Sequence, residues 1–278
     1  MRLVKLSEIS KAVQKLVIDA NHYLPYDMVD AFKTAADNEK EKRAKNILYK
    51  LVENYKTAKE GIFPLCQDTG IAVVFLQVGD DLRVDGNIYD AINKGIETGY
   101  AEGFLRKSIA DPLTRINTNT NTPAIIHTEI IRGPQIKITL MTKGAGAENK
   151  SALKMLSPAD GIDGIKDFVM DTVGKAGAAA CPPFVIGVGI GGNFETAPLL
   201  AKKALLRDLG LFSKDKTTAH LEKTLLKEIN CLGLGPLGLG GVTTALAVNV
   251  ETIPCHIASL PVAVNIQCHS ARHKTVII

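Results

Sequence analysis

The chain alternates amphipathic helical segments with short apolar runs. This alternation is the sequence feature that most restricts the possible fold classes. One helical spacing of apolar residues comprises Ile9, Val13, Leu16, Val17 and Ala20. The run "IAVVFLQV" that begins at Ile71 is apolar but short, which is typical of a buried strand. Because both kinds of segment occur in one chain, the sequence predicts helices packed on sheets, an α+β fold.

Further segments extend this pattern. Helical spacing also marks residues 47–55, with Gly61 placed to end that helix, and the stretches beginning at residues 88, 164, 195 and 218. Strands are predicted for "AIIHTEII" and "QIKITLM" on either side of a turn at Arg132-Gly133-Pro134, for "FVIGVGIGG" and for "IASLPVAVNIQC". Since no repeat or linker-like stretch interrupts the chain, we expect one domain over residues 1–278, with a helical N-terminal part (1–60) and mixed or antiparallel sheets packed by helices.

Composition excludes several classes of protein. The formal charge of +4 is 33 basic minus 29 acidic residues, spread along the chain, and there is no Trp. No basic block with interleaved aromatic residues is present, so no nucleic-acid partner is expected. No apolar run approaches the roughly 18 residues of a membrane span, and the N-terminus lacks the apolar segment of a secretion signal. We therefore expect a cytoplasmic protein with no membrane partner.

Glycine-rich stretches allow three interpretations. The pattern G-x-G-x-x-G fits Gly187, Gly189 and Gly192, and it fits again at Gly233, Gly235 and Gly238. A strand and a helix flank the first match, which is the context of a dinucleotide site in an oxidoreductase. The alternatives are tight turns that let backbone approach backbone, and loops that surround a bulky ligand or bind its anionic oxygens. All three stay open on the pattern alone.

The five cysteines do not form a disulfide framework, because their number is odd and their spacing wide. Cys66 is followed directly by Gln67 and Asp68 in "FPLCQDTG". Cys181 is followed by Pro182 and Pro183, and a proline directly after a ligand cysteine occurs in some iron–sulfur sequences. Cys268 opens the cationic "CHSARH". By contrast, Cys231 is most simply a small core residue, and Cys255 is ambiguous. There is no C-x-x-C motif, so core packing, catalysis and metal binding all remain possible.

Three polar residues are candidates for a catalytic or binding role. Asp68 either orients a substrate and transfers a proton or fills a turn with Thr69 and Gly70. Arg106 either forks onto a carboxylate or is simply solvated. His256 is a candidate base whose commoner explanation is a half-buried histidine with its hydrogen bonds satisfied.

Taken together, these motifs resemble the class I, iron–sulfur-dependent fumarases and tartrate dehydratases. The matching stretches are "PLCQDTG", "NTPAIIH", "KGAGAENKS", "CPPFVIGVGIGGNFETAPLLAKKALLR", "GLGPLGLGGVTTALAV" and "CHIASLPVAVNIQCHSARH". They occur in the order of the family and run from about residue 60 to 273. The combination of "CQDTG", "IGVGIGG" and "QCHSARH" is highly specific.

The resemblance implies a role for each candidate. Cys66, Cys181 and Cys268 match the thiols that hold a [4Fe–4S] cluster, and residues 61–278 form the cluster- and substrate-binding part. Gln67, Asp68 and Arg106 match substrate-binding residues, and Asp68 and His256 match catalytic positions. A substrate-binding glycine falls in "KGAGAENK"; family members often have three glycines there, whereas this chain has Ala145 between two, and Gly146 is the position we select.

The implied function is that of the α subunit of an iron–sulfur fumarate hydratase, which reversibly adds water to fumarate to give L-malate. Single-chain relatives continue into a second domain, which is not part of this sequence, so a separate β subunit and an α2β2 assembly are expected. The alternative substrate is L-tartrate, dehydrated to oxaloacetate. Two alternatives of another class are the dinucleotide-binding oxidoreductase and a non-catalytic zinc module built from the three thiols and a histidine.

Overall fold

The structure is a computed structural model that describes residues 2–278. In chain order, the helices and strands are β1 (Arg2–Val4), α1 (Leu6–His22), α2 (Tyr26–Asn38), α3 (Lys42–Lys59), β2 (Ile71–Gly79), β3 (Leu82–Val84), α4 (Ile88–Glu102), β4 (Ile125–Ile131), β5 (Ile136–Lys143), α5 (Ala145–Glu148), β6 (Ala152–Leu156), α6 (Gly161–Ala176), β7 (Phe184–Gly191), α7 (Thr196–Ala204), α8 (Lys216–Asn230), β8 (Ala245–Ile253), β9 (Leu260–Gln267) and β10 (His273–Ile277). The α+β prediction and the helical N-terminal part are confirmed.

Contacts divide the chain into two compact units. Unit 1 comprises Met1–Pro25, Asn54–Ala145 and Arg272–Ile278, and unit 2 comprises Tyr26–Glu53 and Gly146–Ala271. Each unit has its own sheet and its own buried apolar cluster. This division does not test whether the units fold separately, so the single domain over residues 1–278 stays a prediction.

Unit 1 is built around β2, whose side chains are buried on both faces over most of its length. Its four-stranded sheet has the order β10-β5-β2-β4, with β2 parallel to β4 and antiparallel to β5, while β1 and β3 form a separate parallel pair. A strand that is apolar throughout suits the middle of a sheet, because both faces and both edges are then covered. Residues of α1 and α4 complete the core of this unit.

The strands β4 and β5 are present where the sequence predicts them, with Gly133 at positive φ in the turn between them. They do not pair with each other, however, because β2 lies between them and pairs with both. A hairpin is the simplest topology for two strands joined by a short turn, but the more apolar β2 takes the central place.

Unit 2 contains a second four-stranded sheet, with the order β6-β9-β7-β8. Strand β7 is parallel to β8 and antiparallel to β9, and α6, α8 and the three longer strands share one apolar cluster. Strand β8 was not among the predicted strands. Its sequence, ALAVNVETI, follows a glycine-rich loop. The many glycines of that loop conceal the apolar run with which the strand begins.

The first glycine pattern serves helix packing. Gly187 and Gly189 lie inside β7 and not in a loop before a helix. A Cβ at these positions would lie 2.0 Å from the Ala201 carbonyl oxygen and 2.1 Å from the Ala197 carbonyl oxygen, so α7 can rest on β7 only over glycine. The second pattern lies in a loop that leads into β8, not into a helix. The first match is followed by a loop and α7, but two of its three glycines lie inside the strand and not in the loop that would hold a pyrophosphate, and the second match precedes no helix. The oxidoreductase interpretation therefore has no support here.

Within residues 2–278, no helix combines the length and the apolar character needed to cross a membrane.

Candidate active site

The candidate residues are divided between the two units. Unit 1 carries Cys66, Gln67, Asp68 and Arg106, and unit 2 carries Gly146, Cys181, His256 and Cys268. Within residues 2–278, no three His, Cys, Asp or Glu side chains are grouped so that they could hold a metal ion. The common cluster for the three thiols therefore stays a prediction from the sequence.

The loop Leu65–Gly70 lies outside helix and strand, yet distant side chains bind its carbonyl groups. Asn54 Nδ2 donates to the Leu65 carbonyl (2.9 Å) and Arg272 Nη2 to the Asp68 carbonyl (2.8 Å). The Tyr100 hydroxyl lies 2.8 Å from the Thr69 carbonyl oxygen and 2.9 Å from that of Gly70. Because buried carbonyl groups need partners, these side chains fix the loop in one conformation.

Tyr100 can serve this purpose because it is fully buried. Burial raises the pKa of Tyr100. The positive charge of Arg272 acts in the opposite direction but is the smaller effect, so the pKa stays raised. The phenol therefore keeps its proton and remains a donor to the loop.

The Asp68 carboxylate accepts two backbone hydrogen bonds. The Gly70 N–H donates to Oδ1 (3.0 Å), and the Ala145 N–H donates to Oδ2 (2.8 Å). The first bond confirms the turn with Thr69 and Gly70 that the sequence offered as one interpretation. A Cβ on Gly144 would lie 3.0 Å from Oδ2, so glycine at that position leaves room for the carboxylate. Asp68 is half-buried and its carboxylate is held in place.

The neighbours of Asp68 in the loop are more open. The Cys66 thiol is half-buried and donates to Gln67 Oε1 at 3.4 Å, and the Gln67 side chain is exposed. A thiol at the accessible side of a rigid loop can reach a ligand that a core cysteine could not.

Arg106 is exposed, and over residues 2–278 its guanidinium makes no hydrogen bond or ion pair. Its backbone is fixed, because the buried Thr69 hydroxyl donates to the Arg106 carbonyl at 2.7 Å. The same loop therefore holds both Asp68 and the base of Arg106. An available guanidinium with an anchored backbone suits the binding of a carboxylate.

In unit 2, the segments that carry Cys181 and Cys268 are hydrogen-bonded to each other. The His269 N–H donates to the Cys181 carbonyl at 3.1 Å. Cys181 has a left-handed backbone, with φ 56° and ψ 69°, and a cis Pro182-Pro183 bond follows it. Such a conformation is uncommon for any residue but glycine and is found more often at functional sites. None of the five cysteines forms a disulfide within residues 2–278.

His256 lies in the loop between β8 and β9 and is exposed, so the half-buried alternative is wrong. Its Nδ1 accepts a hydrogen bond from the Ala258 N–H at 3.1 Å. The neutral ring therefore carries its proton on Nε2, which is directed away from this contact. Here the sequence pattern failed because a turn, not a strand, follows Pro254.

Gly146 lies in the short helix α5. A Cβ there would meet only the Ala179 carbonyl oxygen, at 3.5 Å, which is an ordinary contact. Packing within unit 2 therefore does not require glycine at this position. Cys231 corrects another expectation: it follows the last turn of α8 and is exposed, not in the core.

Comparisons with known proteins agree with the sequence resemblance. The family model described as fumarate hydratase (Fumerase) matches residues 10–277. The chain belongs to this family. A Methanocaldococcus jannaschii protein with the provisional name L(+)-tartrate dehydratase subunit alpha is 46% identical over 272 residues, which cover 95% of each chain. The L(+)-tartrate dehydratase subunit alpha of Escherichia coli strain K12 is 28% identical over 277 residues, covering 98% of this chain and 91% of the relative.

Sequence reasoning missed the side chains that hold the loop of this family member. Tyr100, Asn121 and Arg272 come from distant parts of the chain and bind carbonyl groups of Leu65–Gly70. Arg272 was visible only as part of a cationic motif. No periodicity or spacing indicates that a side chain binds a particular carbonyl group, so the fold was needed to find these anchors.

Proposed function

We propose that this chain is the α subunit of a [4Fe–4S]-dependent hydro-lyase that reversibly adds water to fumarate, giving L-malate. The observation that carries the proposal is the family match over residues 10–277. The loop Leu65–Gly70 supports it, since one rigid segment presents a thiol, an amide and a carboxylate and anchors the backbone of an exposed arginine. These are the groups needed to bind a dicarboxylate and move a proton.

The thiols fit an iron–sulfur cluster in their chemistry. Thiolate sulfur is the usual protein ligand of such clusters, and we propose Cys66, Cys181 and Cys268 as the ligands. Two of the three lie on segments that are hydrogen-bonded to each other, and none is in a disulfide within the described residues. When bound, a cluster with three protein ligands supplies one iron that acts as a Lewis acid toward substrate oxygens.

The chain's own residues would bind and orient the substrate. Arg106 would pair with one carboxylate, which a guanidinium binds through two parallel hydrogen bonds, and Gln67 would add an amide contact. Gly146 would let the substrate approach the backbone closely, because nothing in unit 2 fills the space of its missing side chain. A bound dicarboxylate would thereby be held near Asp68.

Proton transfer is assigned to Asp68 and His256. The Asp68 carboxylate is fixed by two backbone N–H groups, so it can accept or orient a proton with little rearrangement. His256 has its Nδ1 occupied by the Ala258 N–H, which leaves an Nε2–H that can donate to a substrate oxygen. We assign Asp68 to the proton next to the carboxylate and His256 to substrate oxygen.

We further propose that a β subunit completes the active site in an α2β2 assembly located in the cytoplasm. The names of the relatives as alpha subunits support a partner chain. The same names favour L-tartrate as a second candidate substrate, whereas the family description favours fumarate. Both reactions remove or add water on a four-carbon dicarboxylate, so the residues of this chain serve either one.

The test is turnover by the chain purified with its partner subunit under anaerobic conditions. Fumarate, L-malate and L-tartrate are compared as substrates at equal cluster content. We expect fumarate and L-malate to be the better pair. A higher kcat/KM for L-tartrate would move the assignment to the dehydratase, and the absence of all three reactions in a protein with intact cluster would refute the proposal. One tightly bound zinc in place of iron would support the zinc module instead.

A further inference from the structure

We propose that Thr69 and Arg272 are positioning residues with separate tasks, Thr69 for substrate binding by Arg106 and Arg272 for proton transfer by Asp68. The inference rests on the proposed function of these two partners. It assigns roles to two buried side chains that act through other residues. Thr69 acts on Arg106, and Arg272 acts on Asp68.

Thr69 is 1% exposed, and its hydroxyl donates to the Arg106 carbonyl at 2.7 Å. Arg106 lies in the long irregular segment between α4 and β4, where no ladder of hydrogen bonds fixes the backbone. The contact with Thr69 therefore ties the base of the arginine side chain to the loop that carries Gln67 and Asp68. Removing the hydroxyl leaves the Arg106 carbonyl without this donor and frees the guanidinium to move.

Arg272 is also 1% exposed. Its Nη2 donates to the Asp68 carbonyl at 2.8 Å and its Nη1 to Asn21 Oδ1 at 3.1 Å, while Nε has no partner. Over residues 2–278 the guanidinium has no ion pair. Burying a cation that has no directly paired carboxylate opposes folding, and a well-packed apolar side chain would often be more stable at such a site. Stability alone therefore does not explain an arginine here.

The position of Arg272 beside Asp68 explains better why an arginine is found at this site. A Cβ on Gly144 would lie 3.0 Å from Asp68 Oδ2 and 3.7 Å from Arg272 Nη2, so the carboxylate and the guanidinium both border this glycine. The cation thus fixes the peptide of Asp68 on one side and lies near its carboxylate on the other. Within residues 2–278, Arg272 makes no hydrogen bond to Arg106, and the Thr69 hydroxyl makes none to the Asp68 side chain.

Because the two anchors act on different groups, their loss should affect different kinetic constants. Thr69→Val should raise KM roughly fivefold with kcat nearly unchanged. A fivefold change in affinity corresponds to the free energy of about one hydrogen bond. Arg272→Met should lower kcat roughly a hundredfold, since small displacements of a reacting group have effects of this size, with KM nearly unchanged. The conservative Thr69→Ser and Arg272→Lys variants should recover activity, fully and in part respectively.

The experiment uses the anaerobically purified complex of the full chain with its partner subunit. Steady-state kinetics with fumarate and L-malate are combined with calorimetric titration of succinate, a non-reacting dicarboxylate, and with iron content. The controls come from unit 2. Thr172→Val also removes a buried hydroxyl that donates to a carbonyl at 2.7 Å, and Arg207→Met removes a partly buried arginine that, unlike Arg272, forms ion pairs, so it controls for a loss of stability. We expect a weaker succinate affinity for Thr69→Val alone, and unchanged KM for both controls.

If both variants change kcat and KM in parallel, and to the same extent as the controls, the positioning roles are overturned. Turnover by the wild-type complex would still support the proposed function in that case. A wild-type complex with full iron content and no turnover would overturn the proposed function, and the assigned tasks with it. If Arg272→Met fails to fold, Asn21→Ala provides the second test, because it keeps the guanidinium and removes the amide oxygen that accepts from Nη1, together with a hydrogen bond to the Val17 carbonyl within α1. It should lower kcat severalfold without a change in KM, and an unchanged kcat would contradict the role of Arg272.

Discussion

At the scale of single residues, the loop Leu65–Gly70 shows how a short motif becomes a rigid arrangement. The motif supplies the functional groups of Cys66, Gln67 and Asp68, but their placement depends on partners more than 30 residues away for most of the contacts. Asp68 illustrates that the structural and the functional interpretations do not compete. The same carboxylate that closes a turn with Gly70 is presented in a fixed orientation.

Gly146→Ala separates packing from substrate binding. A Cβ at this position meets only the Ala179 carbonyl oxygen, at 3.5 Å, so thermal stability should be unchanged or slightly higher. If the substrate approaches this backbone, KM for fumarate should rise by at least roughly tenfold, as expected from a steric clash. The measurements are a thermal melt and steady-state kinetics of the same preparation. An unchanged KM would remove Gly146 from the site.

At the scale of elements, the local patterns predicted most helices and strands, because an amphipathic face or an apolar run is encoded within a dozen residues. No local pattern indicated the order of the strands within each sheet. Strand β2 separates β4 from β5 through pairings with both, and β8 follows a glycine-rich loop that conceals it. The glycines of β7 were noticed as a motif, but their purpose appears only once α7 lies across them.

Gly189→Ala in β7 should lower the free energy of unfolding by about 1–3 kcal/mol, the usual effect of an overpacked core. The physical reason is the 2.1 Å approach of the new Cβ to the Ala197 carbonyl oxygen, which α7 can relieve only by moving away. Denaturant unfolding measures the change. Gly174→Ala in α6 is the control, since nothing lies within 4 Å of its Cβ and helix propensity should make it neutral or stabilising. Equal stability of the two variants would contradict this packing role.

A second element-scale prediction concerns Glu222 of α8. This fully buried carboxylate pairs with Arg207 and accepts from the Val250 and Ser213 N–H groups, at 2.7 and 2.8 Å, so it ties α8 to β8 and to the connection before α8. Glu222→Ala leaves buried donors without partners and should lower the free energy of unfolding by about 3–5 kcal/mol. Denaturant unfolding again provides the test. A loss below about 1 kcal/mol, the level of a surface ion pair, would show that the network contributes little.

At the scale of the whole molecule, the candidate residues are divided between the two units, and by proposal a second chain contributes to the active site. The motifs identified the candidate residues of this chain, because each is specific in sequence. Spacing neither supports nor opposes a common cluster for thiols 115 and 87 positions apart (181 minus 66 and 268 minus 181), since no local rule relates such distant positions.

If a β subunit completes the active site as proposed, the isolated chain should turn over fumarate poorly even with its cluster assembled, because it lacks the carboxylate contacts of the partner. Adding the purified partner subunit under anaerobic conditions should restore turnover, and brief exposure to air should abolish it by loss of the iron that has no protein ligand. Iron and a thiol reductant should then recover the activity. Full activity of the isolated chain would argue against a shared site, and activity that survives prolonged aeration would argue against an open iron.

The most direct test of the account is the iron content of anaerobically reconstituted single variants. The wild-type chain should hold about four irons, as one [4Fe–4S] cluster requires. Cys66→Ser, Cys181→Ser and Cys268→Ser should each lose most of this iron, whereas Cys231→Ser and Cys255→Ser should keep it. If the first three variants retain the full iron content, or if the wild type binds none, the three thiols do not hold a common cluster and the proposed hydro-lyase site is wrong.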